Sequence, residues 1–196
     1  MDSIRQALVR AVQLAEKLMK SDETGKFIAE LSSLIADRFH NDGKVLICGN
    51  GGSAADAMHF AEEFTGRYRN DRKALPVLAL ADPTHITCVG NDYGFSQIFA
   101  RGVEAWGRAG DILIILSTSG NSENVIQALK TAEQLKLKTV TLLGKDGGVL
   151  KDMANLQIIV PGDTTDRIQE LHMLILHIVI EQVERLMFPE NYQESL

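Results

Sequence analysis

The chain predicts a three-layer α/β sandwich around a five-stranded parallel sheet, and three observations carry that prediction. Short, continuously apolar runs recur five times, helical periods separate most of them, and no proline- or serine-rich linker divides the 196 residues, which hold only four prolines. Strands that are apolar throughout are buried on both faces, the condition of a parallel sheet covered by helices. A chain of this length forms one large domain or two small ones. With no linker, the prediction is a single domain over residues 1–196, with residues 1–41 as an N-terminal helical extension.

Taken in order, Ala7, Leu8, Ala11, Val12, Leu14, Ala15 and Leu18 follow a helical period over residues 4–18, and residues 27–39 repeat it. Residues 44–48 (Lys-Val-Leu-Ile-Cys), bounded by Asp42-Gly43 and Gly49, read as the first buried strand. Residues 77–81, 112–116, 139–143 and 158–160 supply the other four. The last helix, about residues 166–187, is apolar on nearly every face through its middle. Such a helix must be covered all round. A domain this small is not expected to surround its own terminal helix, so a second subunit is expected to cover part of it, in a homo-oligomer.

Composition excludes several classes. Apolar residues are 45% and charged residues 23% of the chain, as in ordinary globular domains. A net charge of -6 and a pI near 5.4 argue against nucleic acid as a partner. The strongly apolar stretch at 172–180 is interrupted by His177 and falls far short of the ~20 residues that span a bilayer, so no membrane association is expected. Cys48 and Cys88 follow no metal-ligand spacing, and the N-terminus lacks an apolar signal core. Both features predict reduced thiols in a cytoplasmic chain.

Ligands of open α/β sheets sit beyond the carboxyl ends of the strands, and two loops there have suitable chemistry. After the first strand comes Gly49-Asn50-Gly51-Gly52-Ser53-Ala54-Ala55-Asp56, where glycines admit a close backbone approach and Ser53 is placed to cap the next helix. After the third comes Ser117-Thr118-Ser119-Gly120-Asn121-Ser122, ahead of a helix from Glu123. Turns and caps alone explain either loop about as well as a ligand does. The hydroxyls of Ser117, Thr118, Ser119 and Ser122, however, exceed what capping one helix requires, and with the positive helix end they suit a phosphate. The second loop has no Arg or Lys, which fits a small sugar phosphate better than a nucleoside triphosphate. The glycine loop also satisfies G-x-G-x-x-A, the dinucleotide fingerprint. That fingerprint expects an acidic residue about 20 positions on, whereas Asp82 lies about 30 beyond the loop, so a nicotinamide-dependent oxidoreductase ranks lower.

His59 and Glu63, four residues apart, share one helix face, where a metal or a substrate could sit between them. A polar pair on a solvated helix is the plainer reading. Gln169, Glu170, His172 and His177 are polar groups in the apolar final helix. His172 reads as a core histidine with its hydrogen bonds met. Gln169 and His177 are eight residues apart, about 12 Å along an axis, so one helix should not bring both to one ion. If both serve one site, two subunits supply them.

These segments together, with Gly90-Asn91-Asp92-Tyr93-Gly94 and Arg167-Ile168-Gln169-Glu170, resemble the phosphoheptose isomerase branch of the sugar isomerase (SIS) family, over most of the chain. The resemblance implies the flavodoxin-like SIS fold and a cytoplasmic homotetramer with one zinc ion per subunit. It implies an aldose-ketose isomerase that converts D-sedoheptulose 7-phosphate to D-glycero-D-manno-heptose 7-phosphate for bacterial heptose biosynthesis. Carried over residue by residue, it implies His59, Glu63, Gln169 and His177 as zinc ligands. Asn50, Gly51, Gly52, Ser53, Glu63, Asn91, Asp92, Ser117, Thr118, Ser119, Ser122 and Gln169 would hold the sugar phosphate. Enediol chemistry needs a base at carbon and a proton carrier at oxygen, roles that fall to Glu63 and His177, expected to face each other across two protomers. A related branch is a noncatalytic tetramer that binds a replication-initiation or regulatory protein and lacks the acidic residue found here at Glu63.

Overall fold

The computed structural model describes residues 2–193. Helices α1 (Asp2–Met19) and α2 (Asp22–His40) lead into β1 (Val45–Gly49), α3 (Gly52–Thr65), β2 (Val77–Ala79), α4 (Pro83–Asp92) and α5 (Ile98–Trp106). There follow β3 (Ile112–Ser117), α6 (Glu123–Gln134), β4 (Lys138–Leu143), β5 (Leu156–Ile159) and α7 (Thr165–Met187). The strands pair in parallel in the order β2-β1-β3-β4-β5, the sandwich the sequence predicts.

Residues alternate between two cores. Val45 and Ile47 of β1 meet α2, α3 and α7, whereas Leu46 and Cys48 meet α5 and α6. Both faces are covered, so every residue of β1 and β3 is buried and the apolar runs are continuous. The last strand starts two residues earlier than its apolar run because β5 is an edge strand: Gln157 pairs with Thr141 in the ladder while its side-chain oxygen accepts the Asp152 N–H at 2.8 Å.

The N-terminal helices differ. Phe27, Ile28, Leu31, Ile35 and Phe39 put α2 within the main core, so α2 is a layer of the sandwich and not an appendage. α1 buries only Leu14 and Leu18 and leaves Ile4, Leu8 and Val12 69%, 65% and 58% exposed. The final helix also departs from expectation. Ile168, Leu171, Ile175, Leu176, Val179, Ile180 and Val183 are all buried within this one chain, because α7 packs against α2 and α3 on the sheet. Leu174 is the large apolar side chain of α7's middle that stays exposed. An apolar stripe is thus left without cover on α1.

His172 of α7 is fully buried, and its Nε2 bonds the Leu143 carbonyl at 3.2 Å. Burial pushes it down to about 4 from an ordinary 6.5, against the smaller upward pull of that bond. Between these values the unfolded chain binds a proton that the folded chain refuses. The stabilising contribution is complete above pH 6.5 and is lost as pH falls towards 4. At most it is on the order of 3 kcal/mol. Thermal melts from pH 7 down to pH 4 should therefore fall more steeply for the native protein than for His172→Gln; parallel slopes would refute this.

Candidate active site

Strand order reverses between β1 and β3, and the helices that follow them lie on opposite faces. That arrangement opens a crevice at the carboxyl ends of the strands. A cavity of about 230 Å³ lies there, lined by Asn50, Gly51, Gly52 and Ser53 of one loop and Ser117, Thr118, Ser119 and Ser122 of the other. Thr165 and Gln169 of α7 complete its wall.

Gly51, at φ +56°, turns the chain directly into α3, so it and not Ser53 is the N-cap. Ser53 lies buried inside the first turn, where its hydroxyl faces the Gln169 amide at 3.4 Å. A side chain at Gly52 would collide with that same amide, at 2.6 Å. In the second loop, Ser117 Oγ accepts the Gly120 N–H at 3.0 Å and Ser119 Oγ accepts the Asn121 N–H at 3.3 Å. Ser122 is the N-cap of α6 but makes no capping bond with its side chain. The loop is braced from behind: the Leu150 N–H donates to the Gly120 carbonyl and the Val149 N–H to Asn121 Oδ1, each at 3.0 Å. Gly120 has φ +65°, and a Cβ there would lie 1.8 Å from the Gly147 oxygen, while one at Gly148 would lie 2.3 Å from the Ser119 oxygen.

A second cluster lies further along α3. His59, Glu63 and His177 each offer a ligand atom within 4.8 Å of the others. His59 Nε2 is 3.3 Å from the Glu63 carboxylate, and the His59 and His177 rings meet edge-on at 5.0 Å. Tyr68 stacks on His177, with ring centroids 6.0 Å apart. Two imidazoles and a carboxylate are a donor set suited to zinc. Because α7 runs beside α3, one chain supplies both Glu63 and His177; the expected confrontation of two protomers is not needed to unite them. Gln169 is apart from this cluster, two turns earlier on α7 and in the loop cavity. Asn91 and Asp92, at the exposed end of α4, bond each other at 2.8 Å and do not line the cavity.

Desolvation holds His177 below its ordinary pKa, helped by nearby His59 and opposed by Glu63. Asp56, one turn before His59, has one carboxylate oxygen buried without a partner. Burial pushes its carboxyl up to about 6, against the pull of His59. Asp56, Tyr68, Thr165 and Asn124, whose amide pairs with Asn50, are site neighbours that sequence reasoning missed. Only Asp56 had a local signal, its i,i+3 spacing from His59.

The SIS domain family matches residues 10–144. A phosphoheptose isomerase of Fusobacterium nucleatum is 57% identical over 183 residues, covering 93% of this chain and 94% of that relative. One from Escherichia fergusonii is 50% identical over 187 residues, covering 95% and 97%. The solved structure of a phosphoheptose isomerase from Francisella tularensis superposes with a TM-score of 0.90 at 37% identity, covering 94% of this chain and 97% of that one. The chain thus belongs to the SIS-domain family and, within it, to the phosphoheptose isomerases.

Proposed function

We propose that this isomerase interconverts D-sedoheptulose 7-phosphate and D-glycero-D-manno-heptose 7-phosphate, in the cytoplasm, for bacterial heptose biosynthesis. The observation that carries the proposal is the convergence of Glu63 with His59 and His177. Loop hydroxyls and amides at the start of α6 would bind the phosphate. Glu63 would remove a proton from C1 of the ketose and return it to C2 of the enediol. His177 would deliver a proton to O2 and remove one from O1. His59, Glu63 and His177 would hold zinc, with the partner subunit's Gln169 as a fourth ligand, and because a zinc-bound carboxylate loses basicity Glu63 would shift between ligand and base. Bound there, the ion supplies Lewis acidity towards the sugar carbonyl.

Lengths support an assembly. From Gly52 to Glu63 is eleven residues of α3, about 16 Å of axis. An extended heptose phosphate spans roughly 10 Å at covalent bond lengths of about 1.5 Å. The loops of one copy would therefore work with the His/Glu cluster of another, in a homotetramer to which the bare apolar stripe of α1 would contribute contacts. Asn91 and Asp92, remote from their own cavity, would serve a neighbour's substrate.

The test is to supply zinc and sedoheptulose 7-phosphate to the purified protein and follow the aldose by NMR. Appearance of the heptose aldose is the expected result. A folded, zinc-supplied protein that leaves the ketose unchanged would overturn the assignment.

A further inference from the structure

We propose that Asn124, a residue given no role by the resemblance, is a positioning residue that couples the two ligand loops and sets the gap into which the phosphorylated ligand fits. The proposal rests on the sugar-phosphate reading of that cavity.

Asn124 is in the first turn of α6 and is only 2% exposed. Its amide is costly to bury unless paired, so apolar packing alone does not explain it. Both polar atoms of its side chain are paired with Asn50. The Asn50 amide donates to Asn124 Oδ1 at 2.9 Å, and the Asn124 amide donates to Asn50 Oδ1 at 2.8 Å. This closed pair spans 74 residues of sequence and joins the glycine loop after β1 to the first turn of α6, into which the hydroxyl loop after β3 runs. The two strands are adjacent and in register, Gly49 beside Leu116, so the loops leave the sheet side by side. The cavity opens between them, and Asn50 is in its wall.

Each loop also has its own support. The glycine loop runs into α3, and the hydroxyl loop is tied to residues 147–150. Losing the amide pair should therefore leave both loops folded and free their relative spacing. Donors that grip one phosphate must keep that spacing, so the loss should appear in affinity before it appears in the chemical step. The Asn50 side chain is thereby occupied with Asn124, and the backbone of its loop is what remains to face a ligand.

Kinetics with sedoheptulose 7-phosphate would be compared for the native protein, Asn124→Ala, Asn124→Leu, Asn50→Ala and the Asn50→Ala/Asn124→Ala double variant, each with a thermal melt. Asn124→Leu keeps the buried volume should alanine fail to fold. The expected result is a rise in KM of about tenfold for either Asn124 variant, with kcat within about threefold, the scale of losing a pair of modest hydrogen bonds. The double variant should be no worse than the worse single, since both remove one interaction. An unchanged KM, or effects of the two alanines that simply add, would overturn the proposal. Dissociation constants for inorganic phosphate are measured in parallel. A native protein that binds phosphate but ignores the heptulose would refute the isomerase reading and still expose the coupling; one that binds neither would refute both.

Discussion

Glu63→Gln is expected to lower kcat by about 10²- to 10⁴-fold, the range over which a positioned general base contributes. The substitution keeps the size of the side chain, which is mostly buried beside His59, and removes the negative charge that both the proton abstraction and the metal site would use. Far-UV circular dichroism and the thermal midpoint should stay close to those of the native protein. Zinc content, measured after dialysis, should fall with activity. A folded Glu63→Gln protein with native turnover would eliminate Glu63 as the base.

The largest effect on stability should come from Glu184→Gln. Arg72 and Glu184 form an ion pair at 2.8 Å with side chains 1% and 2% exposed. Arg72 also donates to the carbonyls of Glu63, Phe64 and Gly66 at the end of α3, while Tyr192 donates to the other oxygen of Glu184 at 2.8 Å. Burial, followed by that bond to Glu184, pushes Tyr192 up to about 12. Neutralising Glu184 leaves a buried guanidinium without its counter-charge, which should cost about 3–5 kcal/mol in urea denaturation. Arg185→Ala, at the exposed Arg185–Glu181 pair, should cost less than about 1 kcal/mol by the same measurement. Equal losses for the two variants would show that burial does not govern these pairs.

Much of the fold was legible because the sheet is buried on both faces: five apolar runs became five parallel strands. The errors arose where one face is open. Gln157 on edge strand β5 hid the strand's start, and α7 is covered by α2 and α3 over most of its apolar residues, with Leu174 left exposed. In the site, residues close in sequence were readable: the glycine loop, the hydroxyl loop, and the His59 and Glu63 pair at helical spacing. Residues joined only by the fold were not. The Asn50–Asn124 pair, the stacking of Tyr68 on His177, and the wall position of Thr165 each depend on which strand or helix lies beside which. No periodicity along the chain encodes that adjacency.

The interlock of Gly120 with Gly147 and Gly148 also sets where this protein can be re-engineered. A side chain at Gly120 or Gly148 would strike the opposing loop, one at Gly147 would strike Ile159 and crowd Lys151, and all three hold positive φ angles. A mutant library aimed at other sugars should leave all three glycines untouched.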